Sequence, residues 1–259
     1  MWIEYVEGKQ TYKQLSERYK CSIRTIQRRL EIVKVKNQDK ESRKVIILMD
    51  TTYWKRGFGV MLFKDSITGE NLLKYYVRYE TIYLYKKGIK ELQNIGFEVI
   101  AIVCDGRKGL FTSFDDIPIQ MCQFHQCAII RRYLTKNLKL SASKELMELV
   151  NILKCTDKES FIGGLKQWYE KWEPFLNERT LNKETNKSFY THKKLRSAYN
   201  SLIRNFPWLF TWYDYYDLNI PNTTNAIDGH FSDLKKKLRC HNGMSIPHKM
   251  KFIDEFLKA

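Results

Sequence analysis

The sequence lacks long hydrophobic runs, has few cysteines and carries far fewer acidic than basic residues. Its longest apolar stretches, such as residues 45–49, are much too short to span a bilayer, so no membrane partner is expected. Six cysteines among 259 residues are too few for a disulfide-rich secreted scaffold and fit reduced thiols. The chain does not open with a basic segment followed by an apolar run, so we predict no signal peptide and a cytoplasmic protein.

The charge balance is strongly basic. Lys and Arg number 45 against 29 Asp and Glu, which gives a formal net charge of +16 at pH 7. The excess is concentrated in residues 1–44, 131–200 and 228–259, whereas residues 45–130 are nearly neutral. Because contacts with phosphates supply most non-specific affinity for nucleic acids, this distribution favours a nucleic-acid partner. A protein whose solvated surface is simply rich in lysine would show the same excess of basic residues.

Residues 1–34 predict a helix-turn-helix DNA-binding segment. Thr11 and Gln14 can form a capping box, and Ser22 can cap a second helix whose apolar residues are three and four positions apart. Arg and Gln reach base edges, so we interpret this second helix as a recognition helix, although a helical hairpin with an ordinary charged face has the same pattern. The predicted DNA-binding residues here are Arg24, Thr25, Gln27, Arg28 and Arg29. Residues 35–44 have almost no apolar side chains and predict a linker.

The central segment predicts a β-β-β-α-β order followed by one more strand. Short apolar runs rich in branched residues indicate buried strands, and a helical period that ends at Gly96 indicates a helix between the third and fourth strands. The predicted strands are residues 45–49, 59–63, 72–79, 97–104 and 118–124, and the predicted helix is residues 81–95. Ribonuclease H-like sheets share this order, and their first and fourth strands are neighbours.

Acidic residues directly follow two of these buried strands. Asp50 follows the first strand and Asp105 the fourth, so both would lie at one rim of the sheet. Two carboxylates held together repel one another unless a cation lies between them, and Mg²⁺ binds such carboxylates while keeping water and phosphate oxygens as its other ligands. Either aspartate could instead be an ordinary turn residue.

A third acidic residue lies on a predicted amphipathic helix near the C-terminal end. Residues 222–239 place Asp228 at the edge of the buried stripe, which would bring its carboxylate to the sheet beside the other two. Asp228 could also be only a first-turn acid favoured by the helix dipole. The last turns of this helix are basic, and we predict that Lys235, Lys236 and Arg239 contact the DNA backbone.

Together these motifs resemble the bacterial insertion-sequence transposases of the Mutator-like superfamily, which have an Asp-Asp-Glu catalytic triad. The first motif on which the resemblance depends is the strand that ends in Asp50. The second is Val-Cys-Asp-Gly at residues 103–106, followed by the Cys-x-x-His pair Cys122 and His125. The third is Asn-Thr-Thr-Asn-Ala-Ile-Asp-Gly at residues 222–229. The resemblance covers residues 45–250. The family usually has Glu as its third acid, so Asp228 is a departure that shortens the side chain by one methylene.

The resemblance implies an α/β fold with a ribonuclease H-like mixed sheet flanked by helices over residues 45–259, with a helical insertion at about residues 135–215. It implies that Asp50, Asp105 and Asp228 bind two Mg²⁺ ions, for which Mn²⁺ can substitute. The activity would be cleavage at transposon ends and strand transfer into target DNA, by a homodimer or higher oligomer associated with the nucleoid. Cys122 and His125 would support the active site.

Three alternatives remain open from the residues themselves. Cys122 and His125 could be zinc ligands, although a structural zinc site needs four. The protein could be a catalytically inactive or domesticated DNA-binding remnant, or a nuclease or resolvase with the same fold. Other enzyme classes lack support, since the sequence contains no Gly-x-Ser-x-Gly elbow, P-loop or dinucleotide fingerprint.

Overall fold

The computed structural model describes residues 1–35, 40–114, 116–135 and 137–259. Residues 36–39 of the predicted linker lie outside these ranges. The strands are β1 (Lys44–Lys55), β2 (Phe58–Asp65), β3 (Asn71–Val77), β4 (Glu98–Cys104), β5 (Ile119–Met121), β6 (Arg179–Leu181) and β7 (Ser188–Tyr190). The helices are α1 (Trp2–Val6), α2 (Tyr12–Arg18), α3 (Ile23–Ile32), α4 (Ile82–Asn94), α5 (Gln123–Leu134), α6 (Ser141–Ile152), α7 (Lys158–Asn177), α8 (Lys193–Leu209), α9 (Thr211–Asp214), α10 (Asn225–Arg239) and α11 (Ile246–Leu257).

A mixed five-stranded sheet lies at the centre of the described residues. Its strand order is β3-β2-β1-β4-β5. The first three strands form an antiparallel meander, whereas β4 and β5 run parallel to β1. Helices flank this sheet, which confirms the predicted α/β class. The predicted strand at residues 118–124 is shorter than expected, because Cys122 begins a helix and its backbone leaves the sheet.

The two faces of the sheet are covered by different helices. Ile46 and Leu48 of β1 belong to a hydrophobic cluster that includes residues of α10 and α11. Ile47 and Met49, which alternate with them, pack in a second cluster with residues of α4. Successive side chains of a strand point to opposite faces, so a strand covered on both sides is apolar throughout. This explains the uninterrupted apolar run at residues 45–49.

The N-terminal helices pack directly against this core. Thr11 and Gln14 form the predicted capping box at the start of α2, and Ser22 caps α3 as predicted. Ile26 and Leu30 of α3 are fully buried in the same cluster as the sheet residues and α11. Residues 1–35 therefore share a hydrophobic core with the central sheet.

A second group of helices follows the sheet. Helices α5 to α8 bury a separate hydrophobic cluster that contains Phe161, Trp168 and Leu202. Three of these helices, α6, α7 and α8, lie within the segment predicted as a helical insertion at about residues 135–215. The hairpin β6-β7 was not predicted, because its short strands are mostly exposed and carry no hydrophobic run. Among the described residues, no helix is both long enough and apolar enough to cross a membrane.

Candidate metal centre

The register of the parallel strands places Asp50 opposite Asp105. Leu48 of β1 pairs with Val103 of β4, and the same register continued for two residues reaches the two aspartates. Neighbouring strands are about 4.8 Å apart, so the two aspartates lie side by side where β4 ends. This end of β4 is here called the edge of the sheet. Contrary to the prediction, β1 does not end at Asp50. It continues to Lys55 because its other neighbour β2 extends the antiparallel pairing.

Helix α10 brings the third predicted acid to this edge. Ile227 and Phe231 of α10 pack on the same face of the sheet as Leu48, and Asp228 lies beside them. One ligand atom each from Asp50, His125 and Asp228 lies within 4.8 Å of the others. Asp228 therefore reaches the site although its side chain is one methylene shorter than that of Glu.

His125 enters this group from the first turn of α5. Its Nδ1 atom is buried and has no hydrogen-bond partner among the described residues. The adjacent Cys122 raises the pKa of His125 to about 9, against the lowering effect of burial, and the charges of Asp50 and Asp228 raise it further. At neutral pH the imidazole is therefore largely protonated unless a cation takes the place of the proton.

The environment of Asp50 disfavours its charged form. Burial raises the pKa of Asp50 to about 7, and the charges of Asp228 and Asp105 add to the rise. The backbone N–H of Thr51 donates to Asp50 Oδ1 at 2.8 Å and works in the opposite direction. A divalent cation would favour the ionised carboxylate. Two carboxylates and an imidazole with an unpartnered buried nitrogen are therefore a donor set that fits such a cation.

Asp105 lies next to this group but is not part of it. Its carboxylate falls outside the set of ligand atoms within 4.8 Å, and the backbone N–H of Arg107 donates to its Oδ1 at 3.3 Å. Its charge still contributes to the raised pKa of Asp50. The structure thus brings all three predicted aspartates to one edge. The three side chains whose ligand atoms lie closest together are those of Asp50, Asp228 and His125.

Cys122 and Thr224 connect the starts of α5 and α10. The backbone N–H and the hydroxyl of Thr224 lie 3.3 and 3.2 Å from the buried Cys122 sulfur, and the hydroxyl lies 3.3 Å from Asp228 Oδ2. Burial raises the pKa of the Cys122 thiol, but interactions with His125 and Thr224 outweigh it, so that the net direction is downward. Cys122 therefore accepts hydrogen bonds from Thr224, and Thr224 in turn links the start of α5 to Asp228.

Three residues behind the site had not been singled out from the sequence. Tyr85 donates a hydrogen bond to Glu80 Oε1 at 2.6 Å, and Arg107 forms an ion pair with the same carboxylate at 3.3 Å. The Tyr85 hydroxyl is also 3.0 Å from the hydroxyl of Thr51, which follows Asp50. Burial raises the pKa of Glu80. Glu80 closely follows strand β3. Asp50 and Asp105 were selected as acidic residues that follow a strand, and the same criterion could have selected Glu80.

The predicted DNA-contacting side chains lie at the surface of two helices. On α3, all are exposed except Thr25, which is half-buried and whose backbone N–H is capped by Ser22. On α10, Lys236 and Arg239 are exposed and Lys235 is half-buried. Lys235 and Arg239 line a cavity of about 430 Å³ together with Trp54 of β1. Basic side chains therefore lie along the helix that carries Asp228.

The fold and the site together define an α/β protein whose mixed sheet carries a carboxylate–imidazole group at one edge. The group joins strand β1 with the starts of two helices, α5 and α10. No protein-family model and no curated protein matches the chain.

Proposed function

We propose that the protein is a DNA transposase that cleaves phosphodiester bonds at the ends of a mobile element and joins these ends to target DNA. The observation that carries the proposal is the convergence of Asp50, His125 and Asp228 at one edge of the sheet. These residues are far apart in the sequence and belong to the three motifs that carry the resemblance to Mutator-like transposases.

The architecture supports this proposal. The strand order and directions are those expected of a ribonuclease H-like sheet, with β1 and β4 as parallel neighbours. In such a sheet the acids at the ends of these two strands form one site, and a helix that follows supplies the third acid. In this proposal the three acids are Asp50 on β1, Asp105 directly after β4 and Asp228 on α10.

The residues at the site fit a divalent cation. Asp50, Asp228 and His125 would hold one ion. In this proposal Asp105 would share a second ion with Asp50. The imidazole nitrogen makes Mn²⁺ a better match than Mg²⁺ for the first position. When bound, the cations would stabilise the charge that develops on the phosphate and activate the attacking oxygen. Cys122 and Thr224 would keep His125 and Asp228 oriented.

The charge of the protein supports DNA as the substrate. The net charge of +16 suits a polyanion. In this proposal, Arg24, Gln27 and Arg28 on the exposed face of α3 read the end of the element, and the basic turns of α10 hold the backbone. Two ends have to be held together for transposition, so the active form would be a dimer or a larger oligomer.

The test is a cleavage and strand-transfer assay with the purified protein and DNA from the two flanks of its own gene. Mg²⁺, Mn²⁺ and EDTA are compared for the wild type, Asp50→Asn, Asp105→Asn and Asp228→Glu. We expect cation-dependent cleavage and joining, reduced at least about 100-fold by either asparagine substitution. Asp228→Glu restores the usual residue of the resembling family, and we expect it to retain or increase activity.

The matched control is Asp233→Asn, on the same helix as Asp228 but at a surface position that pairs with Lys237. It should leave the activity unchanged. Cleavage that survives Asp50→Asn would refute the assignment of the site. Cleavage without joining would identify a nuclease or resolvase, and DNA binding without cleavage by any variant would identify a DNA-binding remnant.

A further inference from the structure

We propose that a cavity beside Asp105 binds one unpaired nucleotide of the DNA strand. The cavity has a volume of about 560 Å³ and lies between the loop after β4, helix α5 and helix α8. This volume falls within the usual range for sites that enclose a small ligand. The inference rests on the proposed function in one respect, which is that the proposed function identifies the ligand as DNA.

The charges around the cavity suit a phosphate. Lys108, Arg132 and Arg204 line it, and no acidic side chain is present among its described lining residues. None of the three cations forms an ion pair with any residue in the described ranges. Arg107, in the same loop as Lys108, is instead paired with Glu80. Three unpaired cations around one concave surface therefore favour an anionic ligand.

The aromatic side chains of the cavity suit a base. Phe111 and Trp208 stack with their ring centroids 4.7 Å apart and their planes 18° from parallel. Both rings are only half-buried and face the cavity, where Tyr133 is also present. Stacking on aromatic side chains is the usual way in which proteins hold an unpaired base. A base inside a duplex is covered on both faces by its neighbours, so only an unpaired nucleotide offers its base and its phosphate together.

The position of the cavity connects it with the candidate metal centre. Gly106 and Lys108, which line it, belong to the loop that begins at Asp105. Helix α5 carries His125 in its first turn, and Ile129 and Arg132 of the same helix line the cavity. With a rise of 1.5 Å per residue, these two residues lie about 6 and 10 Å further along the helix. The cavity and the candidate metal centre therefore share helix α5 and the loop that begins at Asp105.

The test measures the affinity for a DNA duplex with a two-nucleotide single-stranded overhang and for the same duplex with blunt ends. Fluorescence anisotropy is recorded in EDTA, so that cleavage does not interfere. We expect the wild type to prefer the overhang, and Trp208→Leu to reduce this preference about tenfold. Trp208→Phe keeps an aromatic ring and should retain most of the preference. Free deoxyadenosine monophosphate is titrated in parallel.

Arg132→Gln and Arg131→Gln form a matched pair. Both arginines are exposed on α5, but Arg131 donates to Asn151 instead of lining the cavity. Arg132→Gln should weaken binding of the overhang several-fold, and Arg131→Gln should not. Equal effects of the two substitutions, no preference for the overhang in the wild type, or tighter binding of the free monophosphate would overturn the proposal. If the protein prefers the overhang but never cleaves DNA, this inference holds and the proposed function is refuted. If it cleaves DNA without preferring the overhang, the proposed function holds and this inference is refuted.

Discussion

Tyr85 donates a hydrogen bond to the carboxylate of Glu80 at 2.6 Å. The Tyr85 hydroxyl is fully engaged, since the Thr51 hydroxyl lies 3.0 Å away on its other side. Glu80 in turn pairs with Arg107, two residues after Asp105. One buried hydrogen-bond network thus joins the segments that carry Asp50 and Asp105. The relative position of these two aspartates depends on side chains that lie behind them.

Substitution of Glu80 tests this network. Glu80→Ala leaves the buried Tyr85 hydroxyl without its acceptor, and we expect the free energy of unfolding to fall by about 1–3 kcal/mol. Glu80→Gln keeps an acceptor for Tyr85 and should cost less. If both variants unfold like the wild type in urea, the network does not contribute to stability. In cleavage assays we expect Glu80→Gln to lower activity about tenfold, as is usual for residues that orient metal ligands.

The pH dependence of stability tests the environment of Asp50. Its pKa is raised from 3.8 to about 7, so the folded state binds this proton more tightly than the unfolded state. Without a metal, the free energy of unfolding therefore decreases as the pH rises from about 4 to about 7. Asp50→Asn has no such proton and should lose less stability over this range. Urea unfolding of both proteins in EDTA measures the difference, and parallel curves would contradict it.

Cation binding should release protons. Asp50 with a pKa near 7 and His125 with a pKa near 9 must each lose a proton before they can bind a metal. The affinity for Mn²⁺ should therefore increase with pH up to about pH 7, and His125 should extend the increase towards pH 9. Titration calorimetry in buffers with different ionisation enthalpies counts the released protons. His125→Ala should reduce the increase towards pH 9, although loss of the imidazolium charge also raises the pKa of Asp50. If it does not, the imidazole is not a ligand.

The exposed face of α3 should contribute to DNA binding. Arg24→Ala and Arg28→Ala remove cations that are not needed for folding, since both side chains are exposed. We expect each substitution to weaken DNA binding. If the side chain contacts a phosphate, the slope of log affinity against log salt concentration should also become shallower by about one unit. Lys90→Ala on α4 is the control, because that helix covers the opposite face of the sheet. Equal losses in all three variants would indicate non-specific attraction only.

The N-terminal helices should unfold together with the sheet. Ile26 is fully buried in the cluster that contains Leu48 and Phe252, so Ile26→Ala should lower the free energy of unfolding of the whole protein by about 2–4 kcal/mol. Ile32→Ala lies on the same helix, where its side chain is 74% exposed, and should have little effect. A loss of helix signal in a separate early transition would instead show that α1 to α3 are an independent unit.

Local features were predicted well where a short pattern is sufficient. The capping box at Thr11, the cap at Ser22 and the β-β-β-α-β order along the chain are confirmed, because they depend on neighbouring residues and on runs of apolar side chains. The prediction of one strand over residues 118–124 is confirmed only for Ile119–Met121. The turn into α5 at Cys122 depends instead on contacts with Thr224, which is about a hundred residues further along the chain.

The sequence by itself determined the strands of the central sheet, most helices, the basic charge and the acids available for a site, because these follow from local periodicity and composition. Only the tertiary structure decided which of these groups meet. The packing of α10 and the start of α5 place Asp228 and His125 beside Asp50, while Asp105 lies just outside this group. The hydrogen-bond network through Glu80 and the cavity beside Asp105 also arise only from the tertiary structure. Such contacts depend on sheet register and helix packing between distant segments, and these are set by the summed burial of many side chains rather than by any local motif.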